Sequence, residues 1–241
     1  MRFGGRQLAM AAAVLLAGCA GPVSLPAPDP GHLPVSARLS AQLPPRAAAV
    51  NFVTAVERVE PVAEAFCRAR TQGLPCDFRV VIDDRPGQPP NAFQTLDRAG
   101  RPVIGLTLPL IAGARNVDEI AFVIGHEAAH HILGHIPQQR DSAAAGAILA
   151  GVMATLGGAD DAAVRAAQDV GATLGARRYS QAFELQADAL GTEIAFRAGF
   201  DPVRGAAFFD RLTDPGNQFL GTHPPNAQRK ETVRRVVAEL H

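Results

Sequence analysis

The sequence predicts an α+β fold dominated by helices, with a small, mainly antiparallel sheet. Three observations carry that expectation: helical periodicity over most of the chain beyond Val117, a compact block of valine- and isoleucine-rich segments between Phe78 and Leu108, and Gly, Pro or Asp residues at the breaks. A chain of 241 residues, 47% of them hydrophobic, is long enough to bury one sizeable core, and residues 36–241 read as one domain. Its 23 basic and 23 acidic residues cancel, with Lys230 as the one lysine, so no cationic stripe suggests nucleic acid as a partner.

At the N-terminus, Arg2 and Arg6 precede an apolar run from Leu8 to Ala17 that is short for a membrane span, so residues 1–18 read as a secretion signal. Leu16-Ala17-Gly18-Cys19 resembles the lipobox of bacterial lipoproteins, which implies cleavage before Cys19 and its acylation. The plainer alternative is an ordinary signal peptide with a cysteine there by chance. Acyl chains on Cys19 would hold the protein to a membrane, and the Ala20 that follows leans towards the periplasmic side of the outer membrane. Residues 19–35 are too rich in proline to pack and read as a tether. With Cys19 set aside, Cys67 and Cys76 form an even pair in an oxidising compartment, either a short-loop disulfide or two free thiols.

Asn51 to Gln72 shows helical spacing of Phe52, Val56, Val59, Ala63 and Phe66, with Pro61 expected to kink or divide the segment. Strands follow at 78–82, 92–96 and 102–108, the last two separated by the turn signals Arg98-Ala99-Gly100. Helices are expected over 117–135, 139–157, 160–175, 181–198, 202–212 and 225–240. The uncharged, alanine- and glycine-rich run Ala143 to Gly158 reads first as a close-packed core helix, or else as one that lies on a membrane or covers a site.

The chemistry concentrates on His126-Glu127-Ala128-Ala129-His130. With seven histidines in the chain, His-Glu-x-x-His arises by chance in about 0.8% of chains of this composition, so the motif is fairly specific. On a helix His126 and His130 lie about 40° apart and one turn along, presenting two imidazoles to one point. Glu127 follows at about 100°, within reach of a water held there, as a general base requires. A catalytic zinc needs a third protein ligand. His131 and His135 lie about 140° and 180° from His126 on a straight helix, so neither converges, and both read as packing or surface residues. Glu184 and Asp188, at i and i+4 of a later helix, offer one carboxylate to bind the metal and one to support a ligand.

Together, His126-Glu127-x-x-His130, Glu184-x-x-x-Asp188, Asn91-Ala92-Phe93 and His223-Pro224 resemble gluzincins related to CAAX prenyl proteases and HtpX, the forty-eighth metallopeptidase family, over roughly residues 50–240. The resemblance implies a zincin-like domain in which His126, His130 and Glu184 hold one Zn2+, Glu127 activates water and Asp188 orients a ligand histidine. It implies an edge strand at Asn91, Ala92 and Phe93 that pairs with an extended substrate. His223 would stabilise the oxyanion, or close over the metal as a fourth ligand, and Arg229 would pair with a carboxylate near the site. Where the family shows an arginine after the helix-capping serine, this chain has Gln181. The function expected from resemblance and location is endopeptidase cleavage of unfolded or misfolded envelope proteins; the alternative is a chaperone-like binding lipoprotein with a structural zinc.

Overall fold

A computed structural model of the chain describes residues 43–178, 180–212 and 224–241. The signal and tether over 1–35, Cys19 and His223 lie outside the described residues. Helix α1 (Pro45–Arg70) starts with Pro45 in its first turn, where a missing N–H leaves no bond unmade, and buries the stripe Ala48, Ala55, Val59, Ala63 and Cys67. It is continuous through Pro61, contrary to the expected break. Pro61 faces outward, so the carbonyl it leaves unpaired can turn to water. Cys67, on the last turns of α1, is joined to Cys76 in a disulfide that ties the helix to the segment entering the sheet.

Three strands follow: β1 (Arg79–Asp83), β2 (Ala92–Leu96) and β3 (Pro102–Thr107). Their order is β1-β3-β2, with β2 and β3 antiparallel and β1 and β3 parallel. The sheet is therefore mixed, where a mainly antiparallel one was expected. The β2–β3 hairpin is local: Asp97 Oδ1 accepts from the amides of Ala99 and Arg101, and Gly100 takes a φ of 80°. The side of β3 on which β1 lands is set by tertiary packing, which strand patterning does not encode. Buried β3 is the centre and β2 is an edge.

Helix α2 (Leu108–Gly113) leads directly out of β3, and α3 (Val117–Ile132) is capped by Asn116, whose side chain accepts from the Glu119 amide. The expected helix over 117–135 stops at Ile132. Gly134 adopts a left-handed φ of 66°, and α4 (His135–Leu156) starts in a new direction. α4 pairs with α5 (Asp161–Arg178) at a separation only glycine permits: a Cβ on Gly146 would fall 2.2 Å from the Gly171 carbonyl oxygen. The run 143–158 is thus close-packed, but it is no core helix, because Ile148, Leu149 and Leu156 on its outer face are 66%, 65% and 79% exposed. Among the described residues no helix is long and apolar enough to cross a membrane.

Helix α6 (Ser180–Arg197) lies against α3 where two glycines meet, Gly125 and Gly191. A short α7 (Pro202–Gly205), a 3-10 segment (Ala206–Arg211) and α8 (Asn226–Leu240) complete the domain. Buried Glu119 receives both terminal nitrogens of Arg211 and the Arg115 amide, which fixes the 3-10 segment over the start of α3.

Candidate metal centre and cleft

Among the described residues, three helices supply the site. α3 presents His126 and His130 from adjacent turns, α6 presents Glu184 and Asp188, and α8 presents Arg229. The Gly125–Gly191 contact brings the first two helices together: a Cβ on Gly191 would lie 2.7 Å from the His126 amide nitrogen. At that crossing His126 Nε2 and His130 Nε2 are 3.0 Å apart. Glu184 lies beside both, its Oε1 3.3 Å from His130 Nε2 and its Oε2 3.6 Å from His126 Nε2. One ligand atom from each of the three residues falls within 4.8 Å of the others.

Asp188, fully buried, sits behind this group with Oδ1 3.0 Å from His126 Nδ1. An ionised carboxylate only accepts, so a neutral His126 ring carries its proton on Nδ1 and leaves its Nε2 lone pair bare. That lone pair points at His130 Nε2 and the Glu184 carboxylate, a cluster of acceptors that a cation satisfies. Two imidazoles and a carboxylate match the donor set of a catalytic zinc, which leaves a fourth position for water. Asp188 is itself held by Arg229, which donates from Nη2 and Nε at 2.6 and 2.7 Å. The same guanidinium lies 3.3 Å from Glu184 Oε2 and 4.0 Å over the Phe209 ring.

A cleft of about 430 Å³ opens over these residues, with Glu127 in its wall. Burial pushes the Glu127 carboxyl above the ordinary range, opposed by His126 and His130. β2 and its approach give one rim, with Pro90, Asn91, Ala92 and Gln94; the lining also includes the apolar side chains of Phe122, Phe208, Phe209 and Leu212. Of the three residues expected on the edge strand, Asn91 and Ala92 line the cleft. Phe93 points to the other side of the strand, its ring in the space where a Cβ on Gly105 would stand. The Asn91 amide donates to Thr107 Oγ1 and its carbonyl accepts from the Thr107 amide, which anchors the rim.

His131 and His135 stay out of the ligand set, as their angular positions indicate, but their surroundings differ. His131 Nε2 is 2.7 Å from the Pro75 carbonyl oxygen, and its ring meets Phe78 edge-on. His135 was expected as a packing or surface residue. The break at Gly134 instead swings it back against His130, Nδ1 to Nδ1 at 3.0 Å. Burial first, and then the neighbouring His130, hold the His135 pKa down at about 4 against the hydrogen bond to Gln186, so the ring is neutral near pH 7. A straight-helix reading cannot find this contact; the glycine before His135 is the signal for the turn that makes it.

A sequence model for peptidase family M48 matches residues 55–237, which includes all of these side chains. The chain belongs to peptidase family M48. This M48 chain is also 30% identical over 173 residues to the mitochondrial metalloendopeptidase OMA1 of Saccharomyces cerevisiae, an alignment that takes in 68% of this chain and 47% of that protein. It therefore spans about half the length of the curated relative it matches. The M48 assignment accords with a metallopeptidase centre built from an HExxH helix and a carboxylate supplied by a second helix.

Proposed function

We propose that this M48 protein is a zinc-dependent metalloendopeptidase that cleaves unfolded or misfolded proteins in the bacterial cell envelope, attached to a membrane through acylated Cys19. One observation carries the catalytic part: His126 Nε2, its proton committed to Asp188, converges with His130 Nε2 and Glu184 in a cleft that also holds Glu127. The lipobox-like Leu16-Ala17-Gly18-Cys19 and the Pro-rich residues after it support the envelope location.

His126, His130 and Glu184 would hold the zinc, which when bound acts as a Lewis acid and lowers the pKa of water. Asp188 and Arg229 keep His126 in the ligating tautomer. Glu127 takes the proton of the attacking water and passes it to the leaving amine. Among the described residues β2 is an edge strand, to which an extended peptide can add as a further strand, and the apolar part of the cleft lining can receive one of its side chains. His223 remains the proposed oxyanion donor.

Zinc content and casein cleavage, measured on protein that starts at Cys19, test the reading. Glu127→Gln should keep one zinc per chain and lose about 10²- to 10⁴-fold in turnover. A Glu127→Gln protein as active as the unaltered one, or full cleavage after a chelator has stripped the metal, would refute it. Retained zinc with no cleavage by either protein would favour the chaperone-like alternative. Cys19→Ala should release the protein from the membrane fraction and abolish labelling with radioactive palmitate.

A further inference from the structure

His135 is 3% exposed, on the first residue of α4, and belongs to neither the ligand triad nor the cleft wall. Its ring stacks on Phe183 at 4.4 Å with planes 10° apart. Its two nitrogens face different helices: Nδ1 lies 3.0 Å from His130 Nδ1 on α3, and Nε2 lies 3.1 Å from Gln186 Oε1 on α6. Gln186 is two residues beyond Glu184.

A neutral imidazole has one N–H and one lone pair, so this chain of contacts runs in one direction only. In the amide orientation that sets Gln186 Oε1 beside it, His135 carries its proton on Nε2 and donates to that oxygen. Its Nδ1 is then an acceptor, which requires His130 to carry its proton on Nδ1. His130 Nε2 is thereby left bare, pointing at His126 and Glu184. The reverse direction would put the His130 proton on Nε2, between the ligand atoms, and block coordination. His126 has a buried carboxylate for this purpose; His130 has a second histidine.

We propose that His135 is the positioning residue of His130: it accepts the His130 Nδ1 proton, with Gln186 setting its tautomer, and so locks the second metal ligand to the helix that carries the third. The proposal rests on the reading of His130 as a metal ligand. It also gives the left-handed turn at Gly134 a purpose, because a helix continued through that residue would carry His135 to the far side of α3.

Zinc affinity, measured on the full-length chain by competition with a chromophoric chelator, separates positioning from packing. His135→Phe keeps a ring on Phe183 but has no acceptor, and should weaken zinc binding about 10- to 100-fold. His135→Asn loses the ring but returns an oxygen near the Nδ1 position, and should recover most of that affinity. Long-range proton–nitrogen spectra of the unaltered, zinc-loaded chain should show His130 protonated on Nδ1 and His135 on Nε2, a test that depends on no variant folding. Unchanged affinity in His135→Phe, an Asn variant as weak as Phe, or a proton on His135 Nδ1 would overturn the proposal while leaving the zinc site standing. Failure of the unaltered chain to bind zinc would overturn both.

Discussion

Asp188 and Arg229 are 41 positions apart in the chain and 0% and 6% exposed, so each is the other's main compensation for burial. Replacing one partner of such a pair leaves an uncompensated charge and costs about 3–5 kcal/mol, whereas replacing both with apolar residues is far milder. Arg229→Met should therefore lower the urea midpoint sharply, and the double variant Arg229→Met/Asp188→Leu should regain part of the loss. An additive double variant would show that the two side chains act separately. Glu60 on α1 is a smaller case of the opposite sign. Burial first, and then the charge of Glu64, raise its pKa against the Val80 amide and Arg101. The folded state thus holds the Glu60 proton to higher pH than the unfolded chain does, so this residue's contribution to stability falls as pH rises through and just above the ordinary carboxyl range. Glu60→Gln should be more stable than the unaltered protein at pH 7 and lose that advantage near pH 4, as read by denaturant titration at the two values.

At the scale of elements, the metal centre depends on how closely α3 and α6 can approach. Both crossing positions are glycine, and an added methyl on Gly191 would meet the His126 backbone, a neighbour that cannot rotate away. Gly191→Ala should cost about 1–3 kcal/mol, as overpacking does. Because the shift separates Glu184 from His126, zinc affinity should fall as well, measured by the same chelator competition. A stability loss with unchanged zinc binding would show that the helices part elsewhere. The Cys67–Cys76 disulfide is an element-level staple of another kind, closing a short loop between α1 and the sheet. By the chain-entropy estimate a loop of this length contributes about 3 kcal/mol. Cys76→Ser should lower the melting temperature without altering zinc stoichiometry, since neither sulfur approaches the ligand triad.

Across the whole molecule, the features legible in the sequence are those whose geometry is set within a few residues. A helix places residues i and i+4 on one side, so the adjacency of His126 with His130 and of Glu184 with Asp188 could be read directly, as could the helix-dominated α+β class and the β2–β3 hairpin. The left-handed turn at Gly134 is also local, yet its consequence is not, because where His135 arrives depends on the direction α4 takes afterwards. Tertiary structure alone decided that β1 runs parallel to β3, that the alanine- and glycine-rich α4 shows an apolar face to the outside, and that Asp188 is the carboxylate on which Arg229, expected to pair near the site, closes. Each of these depends on which surfaces are left over once the core is packed, a property of the assembled helices and sheet that no window of sequence contains. The residues of the centre were thus determined by local spacing and family pattern, and their mutual orientation by the crossing of α3 and α6 at two glycines.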